Sequence, residues 1–329
     1  MKTTARIHAI LPRRGVNAVV FRRGPSASWA VIGWDLAHDT FTLGQWLKGR
    51  IYPFRSDLSP KGTYLLYFAA KFNRPNGVEK FVEEKVTERV GELYDGLTFN
   101  GFRKYRRQRE EAEAAVRKEF AGEIRKLRYA RDYTDRSWTA ISRAPYLKAL
   151  DLWFNGTVWN GGGLFMDGRK VWLNTPDPGT AVQRPARLGL DLDVSQDFPF
   201  DVNFGGECPG VYCHRLDRDG WTAKHQAENS VVYEKRLACG WALQKLFVSG
   251  KPGSGYGCYW ERHRIINPGR RLKVDGTGWR WADYDAPRNR ILYARNGMLF
   301  ALPVAEDFGA PVMLKNFNDM KFEPLKAPY

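Results

Sequence analysis

Residues 57–68 read Asp-Leu-Ser-Pro-Lys-Gly-Thr-Tyr-Leu-Leu-Tyr-Phe. Pro60 presets φ for a turn and Gly62 tolerates positive φ, so Ser59 to Gly62 is turn chemistry. Thr63 to Phe68 has the β-branched and aromatic content of a strand. A polar turn feeding a buried strand is one edge of a β-meander. The same texture recurs outward from it. Upstream, short apolar runs at Ala5–Leu11, Asn17–Phe21, Ser28–Trp34, Thr40–Trp46 and Gly49–Phe54 are separated by Gly, Pro or Asp. Downstream, strand signals return at Ser137 and continue at Trp153–Trp159, Gly163–Met166, Val171–Leu173 and Leu188–Val194. Gly210–Leu216 and Trp221–Lys224 read as a hairpin across the Asp217–Gly220 turn, and Met166–Arg169 as another tight turn. Val231–Phe247 fits one helix or two strands, and Tyr256–Ile266 reads as extended. Short strands at close spacing with turn residues between them predict an all-β sandwich, barrel or propeller.

Trp279–Val304 is the clearest late unit, because Asn296-Gly297 between two apolar runs is a strong hairpin signal. Two stretches carry a family resemblance. Asp57–Tyr67 resembles the Ser-Pro-Asp-Gly turn and strand of bacterial WD40-like (TolB-type) β-propeller repeats, with Lys61 in place of the usual Asp. Trp279–Val304 resembles the inner strands of a propeller blade, with Asp283 and Asp285 before the turn. The resemblance implies a propeller and no particular activity. The unit spacing gives five or six blades. A β-sandwich with a helical arm is the alternative. In a propeller, a strand from within Ala5–Phe21 is expected to pair with those of Trp279–Val304, because such closure protects sheet edges.

The strand pattern stops near Asn76. Val78, Phe81, Val82, Val86, Val90 and Leu93 then recur at helical spacing among Glu, Lys and Arg. Gly96 and Gly101 mark a break. A second stripe, Val116, Phe120, Ile124 and Leu127, predicts a helix from about Phe102 to Arg131. The sequence therefore divides into a β domain over residues 1–75 and 132–304, an inserted antiparallel helical hairpin over 76–131, and a tail over 305–329 that packs on the surface.

The chain has 329 residues, a 43% apolar and 14% aromatic content, and a formal net charge of +16. That composition supplies a core and argues against global disorder. The charge favours anionic partners such as nucleic acid, a membrane surface or an acidic protein face. No stretch approaches the roughly 20 apolar residues of a membrane helix. With no apolar leader run and only four cysteines, a reduced, cytoplasmic protein is expected.

Candidate chemistry is sparse. Cys208-Pro-Gly-Val-Tyr-Cys213-His214 has soft ligands, but no second Cys or His pair follows at zinc spacing, so no metal and no cofactor is expected. No Gly-x-Ser-x-Gly elbow occurs, and His8, His38, His214, His225 and His263 stand in no recognisable catalytic setting. Trp159-Asn-Gly-Gly-Gly163 lacks the Lys and Ser or Thr of a phosphate loop and reads as a bulged β connection. Asp191, Asp193, Asp197 and Asp201 read as solvated turn carboxylates. The run Arg103-Lys104-Tyr105-Arg106-Arg107-Gln108-Arg109 differs in kind, with five cations and an aromatic at the start of a helix. It can neutralise phosphates or meet an acidic protein face. It can also be a solvated helix face whose arginines pair with Glu92, Glu110 and Glu111.

Three functions remain open. The first is a non-enzymatic interaction scaffold in which the hairpin docks on a protein partner in a larger assembly. The second is a nucleic-acid-binding subunit of a bacterial ribonucleoprotein or defence complex. The third is a propeller hydrolase or lyase with a site in the central channel.

Overall fold

The computed structural model describes residues 4–24, 28–71, 77–91, 99–124, 137–155, 160–174, 191–195, 208–249 and 258–329. The chain divides into two compact units, Met1–Ala70 with Ser137–Tyr329, and Lys71–Arg136.

The larger unit is mostly β, with five sheets in chain order. Sheet 1 runs β1 (Arg6–Ile10), β2 (Asn17–Arg23), β3 (Ser28–Asp35), β4 (Thr40–Lys48). Sheet 2 runs β5 (Arg50–Ile51), β7 (Tyr64–Ala70), β8 (Ser137–Arg143), β9 (Ala149–Phe154), with β6 (Asp57–Leu58) also paired to β7. Sheet 3 comprises β10 (Gly163–Phe165), β11 (Lys170–Asn174) and β12 (Asp191–Ser195). Sheet 4 runs β13 (Thr222–Ala227), β14 (Ser230–Arg236), β15 (Ala242–Val248), β16 (Trp260–Asn267), β17 (Leu272–Asp275). Sheet 5 runs β18 (Trp279–Asp285), β19 (Arg290–Arg295), β20 (Met298–Pro303), β21 (Val312–Asn316). All described pairings are antiparallel except that of β11 with β12.

Central strands such as β2, β3, β7 and β15 read as nearly continuous apolar runs because both their faces are buried, whereas the edge strands β13 and β17 are exposed. In sheet 1, Ala18, Val20, Ala30 and Ile32 pack on Trp281, Leu292 and Leu299 of sheet 5. The alternate residues Val19, Phe21 and Val31 pack on Ile51, Leu65, Tyr67 and Ala69 of sheet 2. Leu66 and Ile141 of sheet 2 meet Phe165, Val171 and Leu173 of sheet 3. Val231, Leu243, Phe247 and Ile265 of sheet 4 meet Trp279, Ile291 and Leu302 of sheet 5. An aromatic ladder crosses sheet 5, with Trp279 and Tyr293 stacked at 4.0 Å and Tyr293 and Phe300 at 5.1 Å.

Between sheets 3 and 4 lies a helix, α3 (Cys208–Arg218), where the sequence predicts a strand at Gly210–Leu216. Val211 packs with Leu164 and Trp172 of sheet 3. Tyr212, Cys213 and Leu216 pack into sheets 4 and 5. Eight of its eleven residues are buried, so it lacks the charged, solvated face that marks α1 and α2. The Asp217–Gly220 turn is its C-terminal stop rather than a hairpin. Gly220 has φ +83, its N–H bonds the Asp217 carbonyl, and Trp221 N–H bonds the Leu216 carbonyl at 2.9 Å.

Two further expectations change. The first and last strand units do not share a sheet, since β1 and β2 belong to sheet 1 and β18–β20 to sheet 5. Sheet 5 takes its outer strand, β21, from within residues 305–329 instead. The two ends meet through packed faces and side-chain hydrogen bonds, such as Arg22 Nε to the Phe317 carbonyl at 3.1 Å, and not through a shared strand ladder. The rest of the tail lies against the surface, with Phe322 near the Trp46 ring at 5.8 Å and the Tyr329 hydroxyl bonded to the Lys148 carbonyl. The ambiguous stretch Val231–Phe247 forms the strands β14 and β15.

In the smaller unit, α1 (Gly77–Val90) and α2 (Phe99–Glu119) pack through the two expected stripes. Val78, Val82 and Val86 meet Val116 of α2 and Ile124 just beyond its end, and Phe81 meets Phe120, the residue after α2, edge-on at 5.4 Å. The expected extension of the second helix to Arg131 lies outside the described residues beyond 124.

Candidate functional site

Helix α3 carries three polar side chains that tie the surrounding sheets together. Tyr212 donates to the Glu261 carboxylate of β16, and its oxygen accepts from Lys245 Nζ of β15 at 2.7 Å. Lys245 and Glu261 are an ion pair at 3.1 Å with both side chains almost fully buried. Arg215 donates to the Pro53 and Ser56 carbonyls beside sheet 2 and to Nε2 of His8 on β1 at 3.2 Å. Arg218 binds the Asp57 carboxylate of β6 at 2.9 Å and the Phe165 carbonyl of β10 at 2.9 Å. Burial works against the charge of Arg218, and Asp57 and Asp219 outweigh it, raising the pKa above the ordinary arginine value. For Glu261 burial is likewise outweighed, by Lys245 and His263, and the carboxyl is held far below its usual range.

Above this network opens a cavity of about 140 Å³. His8 and Glu261 lie in its lining with Phe54, and Arg6, Arg23 and Arg280 bring positive charge to it. Burial, then Arg215, hold His8 well below the ordinary imidazole value, so it is neutral. Arg215 has only donors, so the assigned tautomer accepts at Nε2 and carries its proton on Nδ1. Nδ1–H has no partner among the described residues and remains for the cavity that His8 lines. Glu261 adds little negative potential there, because Lys245 neutralises it.

The cations are set by strand register. Arg6 of β1 stands directly opposite Arg23 of β2, and Arg23 stands opposite Trp29 of β3. Like charges opposite each other across a ladder are destabilising. Arg23 lies over the Trp29 ring at 5.5 Å. Its pKa is lowered by burial first and then by Arg50 and Arg6. Among the described residues no carboxylate lies within ion-pair distance of Arg23 or of Arg50, which stacks over Tyr52 at 4.8 Å. Arg262 stacks over Trp260 at 5.1 Å. The site is thus a small, largely apolar and aromatic-lined recess with arginines along its edge.

Its residues come from segments far apart in sequence, and of them only His8 figures among the histidines noted from sequence. Arg6, Arg23 and Trp29 form a row only once the register of β1, β2 and β3 is known. The basic run read from sequence lies elsewhere, on α2. Arg103 and Lys104 are exposed. The Tyr105 hydroxyl donates to the Gly91 carbonyl at 3.1 Å. Arg106 pairs with Glu110 and Arg107 with Glu111, each at 3.0 Å, and Arg109 pairs with Glu83. Glu92 lies outside the described residues.

The remaining motifs are structural. Cys208 accepts a hydrogen bond from Arg55, and burial pushes the Cys213 thiol up to about 12. Among the described residues no three His, Cys, Asp or Glu side chains gather as a metal site. A Cβ on Gly161 would meet the Phe68 ring at 2.1 Å, and one on Gly162 the Arg55 carbonyl at 2.2 Å, so this glycine pair permits close backbone approach. Asp197 and Asp201 lie outside the described residues, and Asp191 and Asp193 fall on β12. Among the described residues no helix is long and apolar enough to cross a membrane.

No protein-family model matches the chain, and no curated protein matches it. Among solved structures the chain is similar to an uncharacterized protein, lmo1340, from Listeria monocytogenes, at 8% identity and a TM-score of 0.30 over 97% of this chain and 85% of that one. At that score the likeness carries no argument.

Proposed function

We propose that this chain is a non-enzymatic interaction scaffold, a five-bladed propeller whose basic edge around Arg23 receives an anionic group of its partner and whose helical hairpin docks separately. Support for the ring comes from the packing order. Sheet 1 is buried on one face by sheet 2 and on the other by sheet 5, while α3 links sheets 3 and 4. The WD40-like resemblance at Asp57–Tyr67 and Trp279–Val304 fits such a ring. Each chain-consecutive sheet would be one blade, and α3 would plug the axis.

The single observation that carries the ligand reading is the placement of Arg23. It is half-buried, faces Arg6 across the ladder, and is crowded by Arg50. A folded chain bears that repulsion at a cost, and a bound anion removes it. The test is salt elution from immobilised heparin, a sulfated polyanion. Arg23→Gln is expected to elute at clearly lower salt than the wild type, because fewer counterions are released on binding. Elution of both at the same salt would sink the reading.

A second reading, nucleic-acid binding through the run Arg103–Arg109, is favoured by Lys104, which is exposed and faces no carboxylate among the described residues. Arg106, Arg107 and Arg109 already face carboxylates within their own unit, which lowers the charge they offer a partner.

A further inference from the structure

We infer that the face of sheet 4 turned away from sheet 5 is a docking surface for an acidic peptide segment of a partner protein. It adds a second surface to the proposed scaffold, on residues other than the edge around Arg23. Sheet 4 alternates cleanly. Val231, Tyr233, Leu243, Phe247 and Ile265 point into the core shared with sheet 5. Their neighbours point the other way, and strand register aligns them in rows. One row is Glu234, Gln244, Arg264 and Asp275, and the next is Val232, Leu246 and Arg262. A cleft of about 670 Å³ opens on this face, lined by both rows apart from Glu234, by Lys273 of β17 and by residues 276–279.

Three features choose the occupant. The first is an apolar floor. Val232 and Leu246 stand opposite each other and half-buried, and among the described residues they join none of the apolar cores. Adjacent aliphatic side chains at the base of a cleft favour an apolar group of a ligand. The second is cationic charge that the chain itself leaves unmatched. Arg262 and Arg264 are exposed, and among the described residues no carboxylate lies within ion-pair distance of either. Arg262 is held over the Trp260 ring at 5.1 Å, and Arg264 donates to Gln244 Oε1. Both guanidinium groups are thereby oriented and keep N–H donors for a carboxylate. They stand two residues apart on one strand face, about 6.5–7 Å between Cα atoms, and carboxylates two residues apart in an extended peptide have that same spacing. The third is the mixed sign of the face. Asp275 is exposed beside Lys273 at 3.2 Å, and Glu234 accepts from Gln244 at 2.8 Å. These carboxylates repel an unbroken run of phosphates, whereas a peptide can set neutral or donor groups over them. The bordering rings are also engaged, Trp279 on Tyr293 at 4.0 Å and Trp260 under Arg262, so the face is a poor stacking platform for bases.

The experiment is fluorescence anisotropy of the full chain with a dye-labelled Ser-Glu-Ser-Glu-Ser-Leu-Ser peptide, which sets two carboxylates and an apolar group on one side of an extended chain. Three further probes accompany it: the peptide with Gln for both Glu, the peptide with Ser for Leu, and a single-stranded thymidine decamer. The acidic peptide is expected to bind about tenfold tighter than its Gln form and several-fold tighter than the form without Leu. Changing Arg262 and Arg264 together to Gln should abolish the preference for Glu over Gln, and Arg23→Gln should leave it intact. The peptide comparisons need no variant, so misfolding of the double variant leaves them decisive. Equal affinity of the acidic peptide and either substituted form overturns the inference. So does a preference that survives the double change, or one lost in Arg23→Gln, which would move the carboxylates to the edge around Arg23. A decamer that binds more tightly than the acidic peptide and loses affinity in the double variant replaces the peptide with nucleic acid. Heparin elution of Arg23→Gln reads the other surface, so the two proposals fail separately.

Discussion

Asp57→Asn probes the contact that locks α3 to sheets 2 and 3. The substitution keeps the side-chain volume and an oxygen for the Phe165 N–H, which Asp57 accepts at 2.8 Å. It removes the charge that faces Arg218. The Asp57 side chain is 1% exposed and that of Arg218 13%. Removing one partner of a buried ion pair costs roughly 3–5 kcal/mol, because the other charge stays desolvated. Asp219 still contacts Arg218 Nε at 2.9 Å, so the lower end, about 3 kcal/mol, is expected. For a domain of this size that lowers Tm by about 6–12 °C. Thermal melts of the full chain followed by circular dichroism measure it. Arg218→Met should cost a similar amount. The double variant should cost less than the sum by about 2 kcal/mol, since each single change already breaks the pair. A shift of Asp57→Asn below about 0.5 kcal/mol, or strict additivity in the cycle, would refute the reasoning.

Stability should fall as pH drops from about 6.5, because burial holds His8 and His263 below the ordinary imidazole value and His214 at about 4, while the unfolded chain takes up those protons. Each histidine contributes at most about 1.4 kcal/mol per pH unit, the His214 share ends near pH 4, and His214→Gln should flatten Tm against pH across that window. Changing Arg103, Lys104, Arg106, Arg107 and Arg109 together to Gln should move Tm by no more than a degree or two, since exposed pairs contribute little; a large drop would make the run structural. A maleimide probe on the native chain should label the exposed Cys239 and Cys258 and spare the buried Cys208 and Cys213, read by peptide mass mapping. Deleting residues 76–131 behind a short Gly-Ser link should leave the β unit with a cooperative melt, because the apolar stripes of α1 and α2 bury one another.

Short apolar, aromatic-rich runs and turn chemistry made most of the β framework legible. Asn296-Gly297, both at positive φ, turns β19 into β20 as read, and the Asp57 stretch gives β6, a turn and β7. The helical pair was legible because each helix sets an apolar stripe at helical spacing among charged residues. Helix α3 was not, because it is buried on nearly every side and carries Gly and a β-branched Val, so its pattern resembles a buried strand. The pocket was invisible for a different reason. Arg6, Arg23, Trp29, Phe54, Glu261 and Arg280 come from three sheets and a connection within a fourth, and only pairing register and sheet order bring them together. A cluster of cations contiguous in sequence, such as Arg103–Arg109, draws attention for the opposite reason, yet much of its charge is met inside its own unit.

Hydrogen–deuterium exchange of the full chain, with and without a saturating heparin oligosaccharide, tests the central claim most directly. The account predicts protection over residues 6–8, 53–54 and 259–261 and at Arg23, Trp29 and Arg280, the residues that line the cavity. Protection confined to α2, with none in those segments, would contradict it.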